Sequence, residues 1–263
     1  MLSNRHALIT GAGAGIGAAI ALALAQAGSR LTLCGRSQDK LQAQAEALRA
    51  QVPDVAVMIA PMDVADEYAV QAAVQQAQAR LGPVNILVNN AGQAHSAPFA
   101  KTDAALWQQM LNVNLTGTFH CIQAVLPGML EAAANGTPGR IVNIASTAGL
   151  KGYVYVSAYV AAKHGAVGLT KALALELARK GVTVNAICPG YTETDIVREA
   201  VQNIVNKTGK SEVEARQALA ASNPQQRLVQ PNEVAQSVLW LCAAGSDAIN
   251  GQAIAIDGGE LAG

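Results

Sequence analysis

The sequence has no surplus of either charge: 18 Lys and Arg balance 18 Asp and Glu, and the isoelectric point lies near 6.9. That balance removes the electrostatic footprint of a nucleic-acid binder, and no nucleic-acid partner is expected. Long hydrophobic runs are also missing. The longest, around Ala18–Ala27, is broken by Gln26 and Gly28 and falls short of a bilayer span, so no membrane partner is expected. The opening stretch "MLSNRHALITG" runs almost directly into a strand, which leaves no room for a secretory leader and points to a cytoplasmic location. Cysteine is sparse. Cys34, Cys121, Cys188 and Cys242 are scattered, with no C-x-x-C and no histidine at ligand spacing. Buried free thiols in a reducing compartment are expected, rather than a disulfide framework or a zinc site. His6, His95, His120 and His164 are equally dispersed, and no metal is expected. Internal repeats and low-complexity tracts are absent.

What is present is a chain of 263 residues, 51% apolar and 14% charged, with 24 glycines. This is long enough for a large core and compatible with one domain over residues 1–263. Short β-type runs alternate with longer helical ones. Strands are expected at Ala7–Thr10, Leu31–Cys34, Val55–Ala60, Ile86–Asn89, Ile141–Ser146, Thr183–Cys188 and Ala253–Ile256. Helices are expected near Gly15–Ala27, Gln38–Gln51, Glu67–Leu81, Ala104–Leu111, Leu115–Glu131, Ser157–Arg179 and Asn232–Ala243. Strands apolar throughout suggest burial on both faces, as in a parallel sheet, and the regular alternation gives a doubly wound α/β fold of seven strands in three layers. One stretch, Thr194–Val229, is polar and without a strand. Within it "SEVEARQALAA" looks helical, Ser211 standing three residues before Glu214 as in a capping box, so a helical lid over about 194–229 is expected.

"LITGAGAGIGAAIALALA" reads as a strand, a glycine turn and a helix. The G-x-G-x-x-G pattern fails from Gly11, because Ile16 takes its last position; Gly11, Gly15 and Gly17 have the spacing that fits a helix start. Glycines there permit positive φ and close backbone approach, while the opening N–H groups attract a diphosphate. An ordinary turn is the plainer alternative. After the second strand, "LTLCGRSQDKL" has no acidic residue before Asp39 to bind adenosine ribose hydroxyls. Gly35 leaves space and Arg36 could meet a 2′-phosphate, which favours NADP(H) with NAD(H) as the alternative; equally, Arg36 could simply lie exposed. In "MDVAD", Asp63, with Val64 beside it, follows the third strand, where the carboxylate could accept from an adenine amino group or cap the next helix. "VNNAG" ends the fourth strand and would put Asn90, Ala91 and Gly92 beside the adenosine ribose.

"SAYVAAKHG" sets Tyr159 and Lys163 four apart, on one helix face. A strand ends at Ser146, thirteen positions earlier, and "NVNLTG" places Asn114 in a helix, where its poor propensity suggests a task. Thr10–Gly17, Asn89–Gly92, Asn114, Ser146, Tyr159-x-x-x-Lys163 and "PGYTET" at Pro189–Thr194, in this order, make the chain resemble the short-chain dehydrogenase/reductase family over nearly its whole length. The resemblance implies a Rossmann-like fold, a nicotinamide cofactor and the interconversion of an alcohol with a ketone. It casts Tyr159 as general acid or base, its phenol lowered by the Lys163 ammonium. Lys163 would also hold the nicotinamide ribose, Ser146 the substrate oxygen, and Asn114 a water leading to Lys163. Pro189, Gly190, Thr192 and Thr194 would contact the nicotinamide end. A family-like homotetramer, pairing the apolar helices Leu115–Glu131 and Ser157–Arg179 across subunits, is expected; deep packing within one chain is the alternative.

Within the family the sequence most resembles hydroxybutyrate dehydrogenase, whose members hold a free carboxylate with a His two residues after the Ser and a Lys three before the Tyr. Here Ala148 and Val156 stand at those places, and only Gln93 is left as a polar contact. Without cationic partners a short free hydroxyacid fits poorly. A 3-oxoacyl or 3-hydroxyacyl thioester such as a CoA ester fits better. The alternatives are a neutral cyclic or aromatic secondary alcohol and, in another class, a non-catalytic dinucleotide sensor. Arg198, Lys207, Lys210 and Arg216 in the lid could approach CoA phosphates, though Glu199, Glu212 and Glu214 interleave them.

Overall fold

The structure, a computed structural model, describes residues 2–262. Seven strands form one sheet: β1 (His6–Thr10), β2 (Arg30–Gly35), β3 (Val57–Pro61), β4 (Ile86–Asn89), β5 (Gly139–Ile144), β6 (Val182–Pro189) and β7 (Ala253–Ile256). Their order is β3-β2-β1-β4-β5-β6-β7 and every pairing is parallel. The nine helices of the described residues are α1 (Gly15–Gln26), α2 (Gln38–Gln51), α3 (Glu67–Leu81), α4 (Ala104–Leu111), α5 (Gly117–Ala134), α6 (Ser157–Leu177), α7 (Asp195–Thr208), α8 (Glu212–Ala220) and α9 (Pro231–Cys242).

The unbroken apolar strands have the cause expected of them. Neighbouring strand residues point to opposite faces, so Leu8 and Leu87 join one core with α3, α5 and the end of α6, while Ile9 and Val88 join the other with α1, α2 and α9. All four cysteines are free and buried. The chain reverses its winding between β1 and β4, and the carboxyl ends of these two strands open a crevice there.

Several boundaries differ from expectation for local reasons. β3 starts at Val57 rather than Val55. β5 stops at Ile144, because Ser146 leaves the strand and its Oγ accepts a hydrogen bond from the Ala148 amide at 3.1 Å. A π-helical turn, Asn112–Thr116, precedes α5, which therefore begins at Gly117. α6 ends at Leu177; a short 3₁₀ turn and Gly181, at φ +73°, finish it.

The insertion contains two helices where the sequence pattern marked one. The capping box is present: the Ser211 amide donates to Glu214 Oε2 at 2.8 Å, and the Glu214 amide to Ser211 Oγ at 3.3 Å. The additional helix, α7, ends at Thr208 and is capped by Gly209, φ +71°. Val197, Val201, Ala215, Ala220 and Leu228 form a small core of its own. A parallel bridge between Thr192 and Val229 ties the two ends of the insertion together, with the Glu193 amide donating to the Val229 carbonyl at 2.9 Å.

His6 fastens the start of β1. Its Nδ1 lies 2.7 Å from the Gly82 carbonyl and its Nε2 2.8 Å from Thr32 Oγ1. Burial pushes its pKa down to about 4, so the folded state holds a neutral ring. The contribution is complete above the unfolded value of about 6.5 and is lost as pH falls towards 4, a span worth about 3 kcal/mol. Urea titrations of wild type and His6→Gln between pH 4 and 7 should show a steeper acid loss in the wild type.

Candidate active site

The carboxyl ends of β1, β4, β5 and β6 surround a cleft of about 340 Å³. One end is a cradle of backbone. Gly11 and Gly15 have φ of +64° and +55°, conformations that L side chains rarely adopt. A Cβ on Gly17 would stand 2.2 Å from the Gly11 carbonyl oxygen, so no side chain fits. α1 starts at Gly15 with no side-chain cap and no acidic residue in its first turn. Its opening N–H groups therefore have no internal anion to satisfy them, the arrangement that receives a phosphate.

β4 is locked to β1 beside this cradle. Thr10 Oγ1 accepts from the amides of Asn90 and Ala91 at 3.0 and 2.9 Å, and Asn90 Nδ2 donates to the carbonyls of Thr10 and Gly11 at 3.0 and 3.1 Å. The Asn90 side-chain amide is thus committed to the frame, and Asn90, Ala91 and Gly92 line the cleft. On the far wall, Pro189 at the end of β6 and Gly190, Thr192 and Thr194 beyond it line the cleft. A Cβ on Gly15 would meet Thr194 Cγ2 at 3.1 Å, so Thr194 stands directly across from the cradle.

The chemical end is built on α6. Tyr159 and Lys163 share one face, with Nζ 5.6 Å from the phenol ring centroid. α6 is pinned to the sheet by a buried chain of hydrogen bonds: Asn89 Nδ2 to Asn143 Oδ1, 2.9 Å, and Asn143 Nδ2 to Thr170 Oγ1, 2.8 Å. Lys163 is buried and donates to the Ile144 carbonyl at 2.9 Å. Ser146, Tyr159 and Lys163 all line the cleft. Burial pushes the Tyr159 phenol up to about 12, with the Ser146 hydroxyl acting in the opposite direction, and pushes Lys163 down to about 8. This corrects the expectation of a phenol already lowered by its lysine. Desolvation is the largest cause of both shifts.

Asn114 lies in the π-helical turn and is buried. Its Oδ1 accepts from the Gln93 amide at 3.2 Å, and its Nδ2 donates to the carbonyls of Gln93 and Met110 at 2.9 and 3.0 Å. One amide proton therefore fixes the chain after β4 and the other is spent on the last turn of α4. A Cβ on Gly92 would lie 2.9 Å from Asn114 Oδ1 and 3.6 Å from Lys163 Nζ, so this glycine lets the two groups converge.

Other expected residues sit outside the cleft lining. Val64 packs against α5, where a Cβ on Gly117 would strike it at 2.6 Å. Asp63 Oδ1 accepts from the Ala65 amide at 2.9 Å; the cap of α3 is Asp66, so the helix-cap alternative for Asp63 is wrong. Arg36 is exposed at the end of β2. It reaches the cleft edge through Gln93, whose amide oxygen, in the orientation that satisfies its neighbours, accepts from both Arg36 Nη atoms at 2.9 and 3.1 Å. Ile16, Ala148 and Val156 line the cleft as expected. Sequence reasoning missed Tyr153, Tyr191 and Ile196, which also line it. Tyr191 lies inside the quoted "PGYTET" without having been singled out, and Tyr153 stands between Ser146 and Tyr159 with no periodicity or spacing to mark it.

The family model described as short chain dehydrogenase matches residues 5–205. A putative ketoacyl reductase of Streptomyces coelicolor is 42% identical over 96% of this chain and 95% of its own. An acetoacetyl-CoA reductase of Shinella zoogloeoides is 37% identical over 98% and 99%. Among solved structures, a variant of actinorhodin polyketide ketoreductase with NADPH superposes with a TM-score of 0.92, at 41% identity and 97% coverage of both chains. The chain belongs to the short-chain dehydrogenase/reductase family. It is a nicotinamide-dependent oxidoreductase that interconverts alcohols and ketones.

The residues fit that cofactor on the cleft's own evidence: a side-chain-free cradle at an uncapped helix, and a buried ammonium with a single protein acceptor. Gly17→Ala would force its Cβ into the Gly11 carbonyl. We expect a loss of about 1–3 kcal/mol by urea unfolding, the usual cost of overpacking, together with weakened NADPH binding read by nucleotide fluorescence.

Proposed function

We propose that this protein reduces the ketone of a 3-oxoacyl group held as a thioester, of the CoA type, with NADPH as the preferred reductant. The observation that carries the reading is the polarity of the cleft near Tyr159. Ser146 and Tyr159 offer hydroxyls to one oxygen, while Ala148 and Val156 offer nothing to a carboxylate. A free acid would lose its hydration there without a counter-charge. A thioester masks that acid. The ketoacyl and acetoacetyl-CoA reductases among the relatives support this reading. For the cofactor, Arg36 and the lack of an acidic residue after β2 support NADP(H) over NAD(H).

When bound, the nicotinamide supplies the hydride. The protein supplies the proton and the positioning. Ser146 donates a hydrogen bond to the carbonyl oxygen and stabilises the negative charge growing on it. Tyr159, protonated across the neutral range, passes its proton to that oxygen. Lys163 holds the nicotinamide ribose hydroxyls and, as a cation, stabilises the phenolate left behind. Asn114 fixes the Gln93 main chain beside them and has one Oδ1 lone pair left for a water. Gly11, Gly15, Ile16 and Gly17 would seat the diphosphate, Asp63 and the main chain of Val64 would meet the adenine, and Thr194 would close the nicotinamide end. In the lid, Arg198 and Arg216 are already paired with Asp195 and Glu193, so Lys207 and Lys210 are the cations left for CoA phosphates. Phe119 on α5 and Leu175 on α6 remain exposed, which supports assembly as a homotetramer through these helices in a cytoplasmic protein.

Tyr159→Phe should retain NADPH binding and lower kcat for acetoacetyl-CoA by about 10²–10⁴-fold, the usual worth of a positioned general acid. Equal turnover by the variant and the wild type would point to another acid, and no turnover by either to a nucleotide sensor. The pH profile follows from Lys163. Its ammonium is present below about 8 and lost above, so kcat/KM for reduction should fall as pH rises through that value.

A further inference from the structure

Tyr153 lines the cleft, on the segment between Ser146 and Tyr159, yet its hydroxyl is not free for a ligand. It lies 2.6 Å from Glu260 Oε1 and 2.7 Å from Thr147 Oγ1. A phenol has one proton, and the charge-assisted bond to a carboxylate takes it. The Thr147 hydroxyl then donates its own proton to the phenol oxygen, and both groups are spent on each other.

Glu260 is an unusual place to find a carboxylate. It belongs to the C-terminal segment beyond β7, its side chain is only 2% exposed, and its second anchor is Lys151 Nζ at 2.9 Å. The turn that carries it is rigid: Asp257 accepts from the amides of Gly259 and Leu261 at 2.9 and 3.0 Å. Glu260 Oε2 also sits 3.4 Å from where a Cβ on Gly190 would stand, directly behind the cleft wall. With its hydroxyl held from behind, Tyr153 meets Tyr191 edge to face, the ring centroids 6.3 Å apart and the planes at 83°. Tyr191 lines the cleft as well.

We propose that Glu260 is a specificity-determining positioning residue: by holding the Tyr153 hydroxyl away from the cleft, it turns this wall into an aromatic corner that selects ketones bearing an uncharged aryl or cyclic substituent. The carboxylate thus works at a distance from the reacting carbonyl, through Tyr153. With their hydroxyls spent on each other, Thr147 and Tyr153 give the substrate no polar contact, and the apolar Ala148, Val156 and Ile196 line the same cleft. A flat apolar ring gains contact with both tyrosines, whereas a methyl group leaves the corner unfilled.

This inference rests on the ketone-reductase reading above, and two neutral 3-oxoesters separate the two. Ethyl benzoylacetate and ethyl acetoacetate are compared as substrates with NADPH. In the wild type, KM for the aryl ester should be about five- to tenfold the lower, the worth of an edge-on aromatic contact. Glu260→Ala should bring the two KM values within about twofold by releasing the ring. The loss should fall on KM and leave the kcat ratio of the two esters unchanged. Glu260→Gln, whose amide oxygen still accepts the Tyr153 proton, should keep the preference. Tyr153→Leu removes the corner without disturbing Lys151 and Glu260 as a pair, and should also abolish the preference; it serves if Glu260→Ala fails to fold. A wild type without the preference, or a preference surviving both Glu260→Ala and Tyr153→Leu, overturns the proposal. A wild type that reduces acetoacetyl-CoA but neither ester overturns the proposal alone, and one that reduces none of the three overturns the reductase reading instead.

Discussion

The chemistry depends on one buried ammonium. Lys163 lies under the cleft with the Ile144 carbonyl as its hydrogen-bond acceptor. An ammonium has three protons to place, and dry surroundings press it to lose its charge. That single bond joins the end of β5 to α6. It makes the lysine dependent on whatever oxygens enter the cleft beside it. Ribose hydroxyls and a phenolate are suitable partners for such a cation, and both would restore what burial removes. The raised phenol and the lowered lysine are therefore two expressions of the same enclosure, and a phenolate formed at Tyr159 would give the ammonium the counter-charge that it lacks.

Placement follows from the scaffold. The reversal between β1 and β4 opens the sheet where backbone must come close to a ligand, and Gly11, Gly15 and Gly17 keep side chains out of that space. The side chains that might have competed are occupied elsewhere. Asn90 holds β1 to β4, Asn143 holds Thr170, and Asn114 holds Gln93. Three asparagines thus spend their amides on main chain and helix so that a Tyr, a Lys and a Ser meet at one point.

Much of this is legible in the sequence. Apolar strands between helices imply the sheet, and ordered motifs lead to Ser146, Tyr159 and Lys163, because those residues recur at spacings fixed by backbone geometry. The differences lie where tertiary contacts decide. The helix cap offered as an alternative role for Asp63 belongs to Asp66. The Tyr159 phenol shifts opposite to the direction its lysine suggests, because attraction by a nearby cation is visible in spacing and desolvation is not. The meeting of Tyr153, Tyr191 and Glu260 is invisible in the sequence for a related reason. They come from three segments distant along the chain, and only folding brings them together.

The bridge between Thr192 and Val229 has a wider meaning. It gives the insertion a narrow neck: everything between these residues leaves the body and returns to it at one spot, carrying its own small core. A module attached in this way can be traded for another without re-registering a single strand. Substrate range in such a scaffold is free to drift while the proton-handling apparatus stays put.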